Sequence, residues 1–406
     1  MKLPEAFLWG AATSPHQTEG NNLNSDWWAL ETGAHQVLPE RSGDAVDSYH
    51  RYREDMELLG RAGLNAYRFG VEWARIEPER GQVSRAMLDH YRRMIDTALD
   101  CGLTPVVTLH HFTGPQWFAE AGGWANPDAV GRFAEFVSAV VPILVDVPWV
   151  CTINEPNMVA IMASVHQLMA DPDALGDLAA GALPEPDPKI GRILIDAHHA
   201  ATAILRSDTE AAVGWTVAQQ AFVAAPGCEQ QLAEANRVWE DPYLEAARDD
   251  DFIGTQAYTS RTVGPEGIIA HPDHPDNTLT GWAYRPDALG IAIRHAWKVT
   301  GGTRVLVTEN GIATHDDTRR IAYTAEALAQ LGEAMSDGID VRGYLHWSAL
   351  DNYEWGHWRP TFGLIAVDRR TFARTPKPSL AWLGDIARGN TLPGADHRRT
   401  STSDRP

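Results

Sequence analysis

The run Trp149-Val-Cys-Thr-Ile-Asn-Glu155-Pro156 decides the reading of this chain. It is a short strand-like segment, β-branched and apolar, that ends on a carboxylate. The same form returns at Val305-Leu-Val-Thr-Glu309-Asn-Gly311. Each run places a glutamate where a strand stops pairing and its side chain can turn inward. Similar short runs occur at Phe7–Ala12, Ala66–Phe69, Pro105–His110, Val213–Val217, Phe252–Gln256 and Gly343–Trp347. Between them lie stretches with helical spacing: Ala45–Gly60, Ser84–Cys101, Pro127–Leu144, Ile190–Arg206, Glu229–Ala247, Pro286–Val299 and Asp317–Ser336. Eight strands, each followed by a helix or a long loop, predict an α/β fold, a single (β/α)8 TIM barrel. An open doubly wound sheet fits less well, because the first strand runs into Ala12-Thr-Ser-Pro-His-Gln-Thr-Glu-Gly20 and not into a glycine-rich phosphate loop.

The bulk numbers agree with one large soluble domain. The chain has 406 residues, 44% of them hydrophobic, enough to bury a sizeable core. Lys and Arg number 34 against 54 Asp and Glu, a net charge of −20 that repels phosphate backbones and anionic lipid. Nucleic acid and membrane are therefore not expected partners. Cys101, Cys151 and Cys228 show no paired spacing, which suits a reducing, cytoplasmic setting and offers no zinc framework. The opening residues lack the apolar core of a secretion signal. The domain is expected to span residues 1–388. Residues 389–406, rich in Gly, Pro and polar side chains, read as a frayed tail. Composition is silent on oligomeric state.

In a barrel of this kind the working end lies at the C-terminal ends of the strands. Those ends carry a dense polar set. Strand one leads to Gln17 and Glu19, and strand two carries Arg68 and runs on to Glu72. Strand three ends in His110-His111, strand four in Asn154-Glu155, and strand six near Tyr258. Strand seven ends in Glu309, and strand eight in Trp347 with Asp351, Glu354 and Trp355 beyond. Two carboxyl groups at strand ends suit glycoside cleavage, where one protonates the leaving oxygen and the other attacks or activates water. A lone loop glutamate is usually just solvated. Two in one polar cleft are a candidate catalytic pair. Fifteen tryptophans add flat apolar faces on which sugar rings stack, several of them in the late loops beside acids. A tryptophan stripe is more often core than platform, but Asp351-Asn-Tyr-Glu354-Trp355 puts acid and indole side by side. Arg68 reads either as a core ion-pair partner or as the group that keeps Glu309 ionised. His198 and His199 read as structural. No HExxH pattern or clustered ligand set points to a metal.

Longer blocks then make the chain recognisable. Residues 4–20, 47–78, 108–118, 152–156, 251–260, 307–311, 344–355 and 362–379, in this order, resemble the family 1 glycoside hydrolases, the β-glucosidase and β-galactosidase family. That resemblance implies a retaining β-glycosidase acting on terminal non-reducing β-linked sugars, on glucosides first and on galactosides or fucosides as further options. The expected partner is a small β-glycoside or oligosaccharide, with no cofactor and no metal. It implies Glu155 as acid/base and Glu309 as nucleophile, with Arg68 and Tyr258 hydrogen-bonded to the nucleophile. Asn154 would reach the 2-hydroxyl. Gln17, His111, Glu354 and Trp355 would clamp the other hydroxyls, Trp347 would lie under the ring, and Phe112 and Phe362 would complete the wall. An ionised Glu354 would exclude 6-phosphorylated sugars.

Several positions depart from the family pattern. Phe112 replaces a tryptophan, and Gln256-Ala257-Tyr258 replaces Asn-Tyr-Tyr. Gly356-His357-Trp358 is one residue short, and Thr361 replaces an arginine. Met158–Pro188 and Pro242–Asp251 lack expected loop sequence, which bears on the leaving-group side. A transglycosidase on the same site, or a sugar-binding homologue without catalysis, stays open at this point.

Overall fold

The computed structural model describes residues 1–33, 38–169 and 183–392. Eight parallel strands close into a barrel in sequence order: β1 Leu8–Ala12, β2 Ala66–Gly70, β3 Thr104–His110, β4 Trp149–Asn154, β5 Ala212–Ala218, β6 Phe252–Gln256, β7 Val305–Asn310 and β8 Val341–Trp347. The seam closes where β1 pairs with β8, Leu8 against Gly343 through Ala12 against Trp347. All eight expected strands are present, each shifted by no more than two residues at either end.

Helices wrap the barrel: α1 Ser48–Ala62, α2 Arg85–Asp100, α3 Ala129–Val140, α4 Pro188–Asp208, α5 Glu229–Trp239, α6 Ala288–Thr300, α7 Asp317–Ser336 and α8 Pro378–Gly389. Three helical expectations need correction. Helix α1 begins at Ser48, not Ala45, because Ala45 and Asp47 take left-handed backbone (φ 46° and 58°). Glu229–Ala247 breaks into two helices at Glu240, where Pro242 follows in the first turn of the second. A helix, Pro156–Met169, springs directly from Glu155 where sequence suggested only shortened loop; residues 170–182 of that stretch lie outside the described residues.

The barrel holds two apolar layers. Leu8, Ala66, Val106, Cys151, Phe252, Leu306 and Leu345 fill the interior. Outward-facing residues such as Val107, Val150, Trp215 and Val307 pack with the helices in one continuous shell. Helix α8 lies so close to α1 that a Cβ on Gly384 would sit 1.8 Å from the Ala62 carbonyl oxygen. Beyond α8 the expected tail is in part anchored. The Asn390 amide accepts from Trp9 Nε1 at 3.1 Å and donates to the Pro4 carbonyl at 2.8 Å, and Leu392 is buried. The domain therefore runs through Leu392, because these residues clasp the strand that opens the barrel; residues 393–406 lie outside the described residues. Among the described residues no helix is long and apolar enough to cross a membrane.

Candidate active site

Strict alternation along β4 and β7 would not bring both polar ends inward. Cys151 faces the interior while Ile153 joins the outer shell, and the β4–β5 register slips between Cys151 and Asn154. On β7, Leu306 faces in and Val307 faces out, and the register slips between Val307 and Glu309. An irregularity of this kind re-aims the residues beyond it. It turns Asn154 and Glu309 into the barrel mouth. Glu155 follows with a left-handed backbone (φ 45°), its N–H held by the Thr216 carbonyl at 2.8 Å.

Arg68 is the hub. Fully buried, its guanidinium donates to Glu309 Oε1 at 2.5 Å, to Asn154 Oδ1 at 2.6 Å and to Thr108 Oγ1 at 3.0 Å. The Tyr258 hydroxyl donates to the other oxygen of Glu309. Asn154 Oδ1 also accepts from Thr216 Oγ1 and Gln256 Nε2, both at 3.0 Å. With its oxygen occupied three times over, Asn154 presents its amide nitrogen, which lies 3.2 Å from His111 Nε2. His111 is buried, held neutral by that burial, and its Nδ1 has no partner among the described residues.

The two glutamates differ in their surroundings. Burial lifts Glu309 above the usual carboxylate value, against the pull of Arg68, Tyr258 and Gln256. Burial lifts Glu155 well above it, and the charge of Glu309 adds to the rise. Among the described residues Glu155 has no hydrogen-bond partner for its carboxyl, so Glu309 gives up its proton first. The partners expected for the nucleophile are in place, but burial outweighs them in the direction of the shift.

The residues expected to bind the sugar converge on the same mouth. Trp347 Nε1 donates to Glu354 Oε1 at 3.3 Å. The His111 ring stacks near both Trp347 (5.9 Å, 20°) and Trp355 (6.3 Å, 16°). Phe112 stands edge-on to Trp355 at 5.0 Å, an apolar wall with no donor. Phe362 is buried with Trp347 and Tyr258. Gln17 is fully buried, donating to the Tyr353 carbonyl at 2.8 Å beside Glu354. Glu354 itself is pushed up to about 8 by burial. At neutral pH that rise favours the protonated form and weakens the charge repulsion expected of Glu354 toward a 6-phosphate. Gly311 has no room for a side chain, since a Cβ would meet the Trp347 carbonyl oxygen at 2.0 Å. It lets β7 and β8 touch just beyond Glu309.

Other polar strand-end residues serve the scaffold. Glu19 pairs with Arg75 at 2.9 Å and accepts from the Tyr91 hydroxyl at 3.0 Å. His110 packs edge-on against Trp124. Asp351 pairs with Lys377 at 2.8 Å. His198 bridges Thr152 and Asp250 behind β4. Sequence reasoning missed Thr108, Thr216 and Gln256 as site residues. The Gln256 substitution was visible, but its grip on Asn154 was not. Among the described residues no group of three or more His, Cys, Asp or Glu could hold a metal.

Such a mouth, with one carboxylate gripped by an arginine and a phenol and a second carboxyl biased toward its protonated form by burial under tryptophan walls, belongs to a barrel glycosidase. The description "Glycosyl hydrolase family 1" matches residues 1–219 and 249–392, and the chain belongs to that family. It is a retaining β-glycosidase of the O-glycosyl hydrolase type. Thermostable beta-glucosidase B of Thermobispora bispora is 31% identical, with 97% of this chain and 92% of that one covered. The crystal structure of beta-glycosidase BGL167 is 42% identical, with a TM-score of 0.87 and 97% and 99% of the two chains covered. The beta-glucosidase from Thermotoga maritima in complex with glucoimidazole is 27% identical, with a TM-score of 0.84 and 96% and 100% covered.

Proposed function

We propose that this enzyme hydrolyses terminal non-reducing β-D-glucosides, with Glu309 as nucleophile and Glu155 as acid/base. The observation that carries the assignment is the asymmetry of the pair: Arg68 and Tyr258 both donate to Glu309, and among the described residues nothing donates to the Glu155 carboxyl. Glu309 attacks the anomeric carbon, the bond to the leaving oxygen breaks, and the Glu155 proton passes to that oxygen. Forming the ester removes the charge of Glu309. Glu155 then takes a proton from water, and the hydroxyl displaces Glu309 from the β face. Asn154 Nδ2 points to the 2-hydroxyl, Trp347 offers its face to the ring, and Gln17, His111, Glu354 and Trp355 meet the remaining hydroxyls. The names of the Thermobispora and Thermotoga relatives support glucose as the sugar. Three unpaired cysteines support a reducing, cytoplasmic location.

Azide rescue tests the roles. With an activated aryl β-glucoside, Glu309→Ala should lose hydrolysis and azide should return the α-glucosyl azide. Glu155→Ala should glycosylate but stall, and azide should return the β-azide. The same anomer from both variants, or no rescue in either, would overturn the assignment.

A further inference from the structure

The segment after β3 delivers His111 and Phe112 to the mouth on unusual backbone. Phe112 has φ 67°, and the Thr113 N–H donates to the carbonyl of His111, two residues back, at 2.8 Å. This is a three-residue turn with a left-handed centre, a rare and strained form, here on a bulky aromatic residue. Such a conformation persists only where the surroundings over-determine it. Two carboxylates from other elements supply the hold. Glu72, beyond β2 and 1% exposed, accepts the Thr113 hydroxyl on Oε2 at 2.8 Å and the Ala74 N–H on Oε1 at 3.1 Å. Asp26 accepts the Gly114 N–H at 3.1 Å and the Trp27 N–H at 2.7 Å.

Glu72 is a costly choice for a purely structural cap. The neighbouring cation, Arg75, is already paired with Glu19, so among the described residues Glu72 has no salt bridge, and its buried carboxyl is pushed up to about 7. What it alone supplies is a pair of acceptors that ties the end of β2 to the turn after β3. We infer that Glu72 is a positioning residue of the sugar site, holding the strained turn so that the His111 ring stands between Trp347 and Trp355 with Nε2 against Asn154. The inference rests on the reading of His111 as a sugar-binding group. Glu72 acts through Thr113 and His111 and touches neither catalytic glutamate.

The test is a double-mutant cycle on the full-length enzyme with an aryl β-glucoside. Thr113→Val removes only the hydroxyl and leaves the Glu72 contact to Ala74. It should lower kcat/KM by roughly tenfold, the effect of losing one buried hydrogen bond to a carboxyl group. Glu72→Gln should do the same, and Thr113→Ser should restore the parent value. Against a His111→Ala background the Thr113→Val and Glu72→Gln effects should vanish, because the group they position is gone. Equal losses with and without His111 would mark Glu72 as a general stabiliser and overturn the inference, as would a Thr113→Ser variant as poor as Thr113→Val. If His111→Ala alone left kcat/KM unchanged, the sugar-binding role of His111 would fall, and this inference with it.

Discussion

Tyr258→Phe isolates one hydrogen bond at the centre of the mechanism. The substitution removes the hydroxyl that donates to Glu309 and leaves the ring packed against Trp282 and Phe362. Glu309 is 3% exposed, so water does not replace the lost donor. A hydrogen bond to a buried charged group contributes about 1.5–3 kcal/mol. At about 1.36 kcal/mol per pKa unit, the Glu309 carboxyl should rise by roughly 1–2 units. A rise means that the nucleophile ionises later, so the acid limb of kcat/KM against pH should move upward by that amount. The alkaline limb, set by Glu155, should move far less. Below the wild-type acid limb the loss in kcat/KM should be about 10- to 100-fold, shrinking as pH rises. The assay is initial-rate hydrolysis of an aryl β-glucoside from pH 4 to 9, with thermal unfolding as a control. An acid limb that stays in place or moves to lower pH would refute the reasoning, because Tyr258 would not then favour the ionised nucleophile.

Gly311→Ala should cost at least tenfold in kcat while leaving the fold intact by far-ultraviolet circular dichroism, because its Cβ would push the Trp347 carbonyl away from the strand that carries Glu309. Glu240, buried and lifted to about 7 by its burial, takes up a proton more readily when folded than when unfolded. Its share of stability is therefore full below about pH 4.5 and fades as pH rises through 7; Glu240→Gln should gain on the parent by up to about 3 kcal/mol between pH 5 and 7.5 in urea unfolding, and an unchanged difference would count against it. Leu392→Ala should destabilise by about 2–5 kcal/mol, read as a lowered Tm, since Leu392 is buried in the main core.

The barrel was legible because its strands are buried on both sides and so appear as uninterrupted apolar runs between helical periods. Glu155 and Glu309 were legible for the same reason: each is the first acid after such a run. The aim of those acids was not legible. It depends on register slips at Cys151–Asn154 and Val307–Glu309, which exist only when β4 and β7 meet their neighbours. The triple grip on Asn154 by Arg68, Thr216 and Gln256 joins residues from β2, β5 and β6, a convergence that sequence spacing does not encode. Helix α1 was placed too early because amphipathic spacing ran on through Ala45 and Asp47, whose left-handed backbone is set by the turn they make. The tail was misread at its start because polar composition hid one leucine and one asparagine that close on the first strand.

The seam between β1 and β8 has a consequence for how activity is gained. Gln17 follows β1, while Trp347, Glu354 and Trp355 lie on or beyond β8, and the two groups meet where Gln17 donates to the Tyr353 carbonyl across 336 positions of chain. The two glutamates proposed to react are likewise divided, Glu155 in the first half of the barrel and Glu309 in the second. A partly assembled sheet can hold native-like strands and helices and still lack half of its reacting groups and most of its sugar pocket. During refolding, turnover should therefore return after the spectroscopic signal of secondary structure, making hydrolysis a clock for the moment the ring of strands joins.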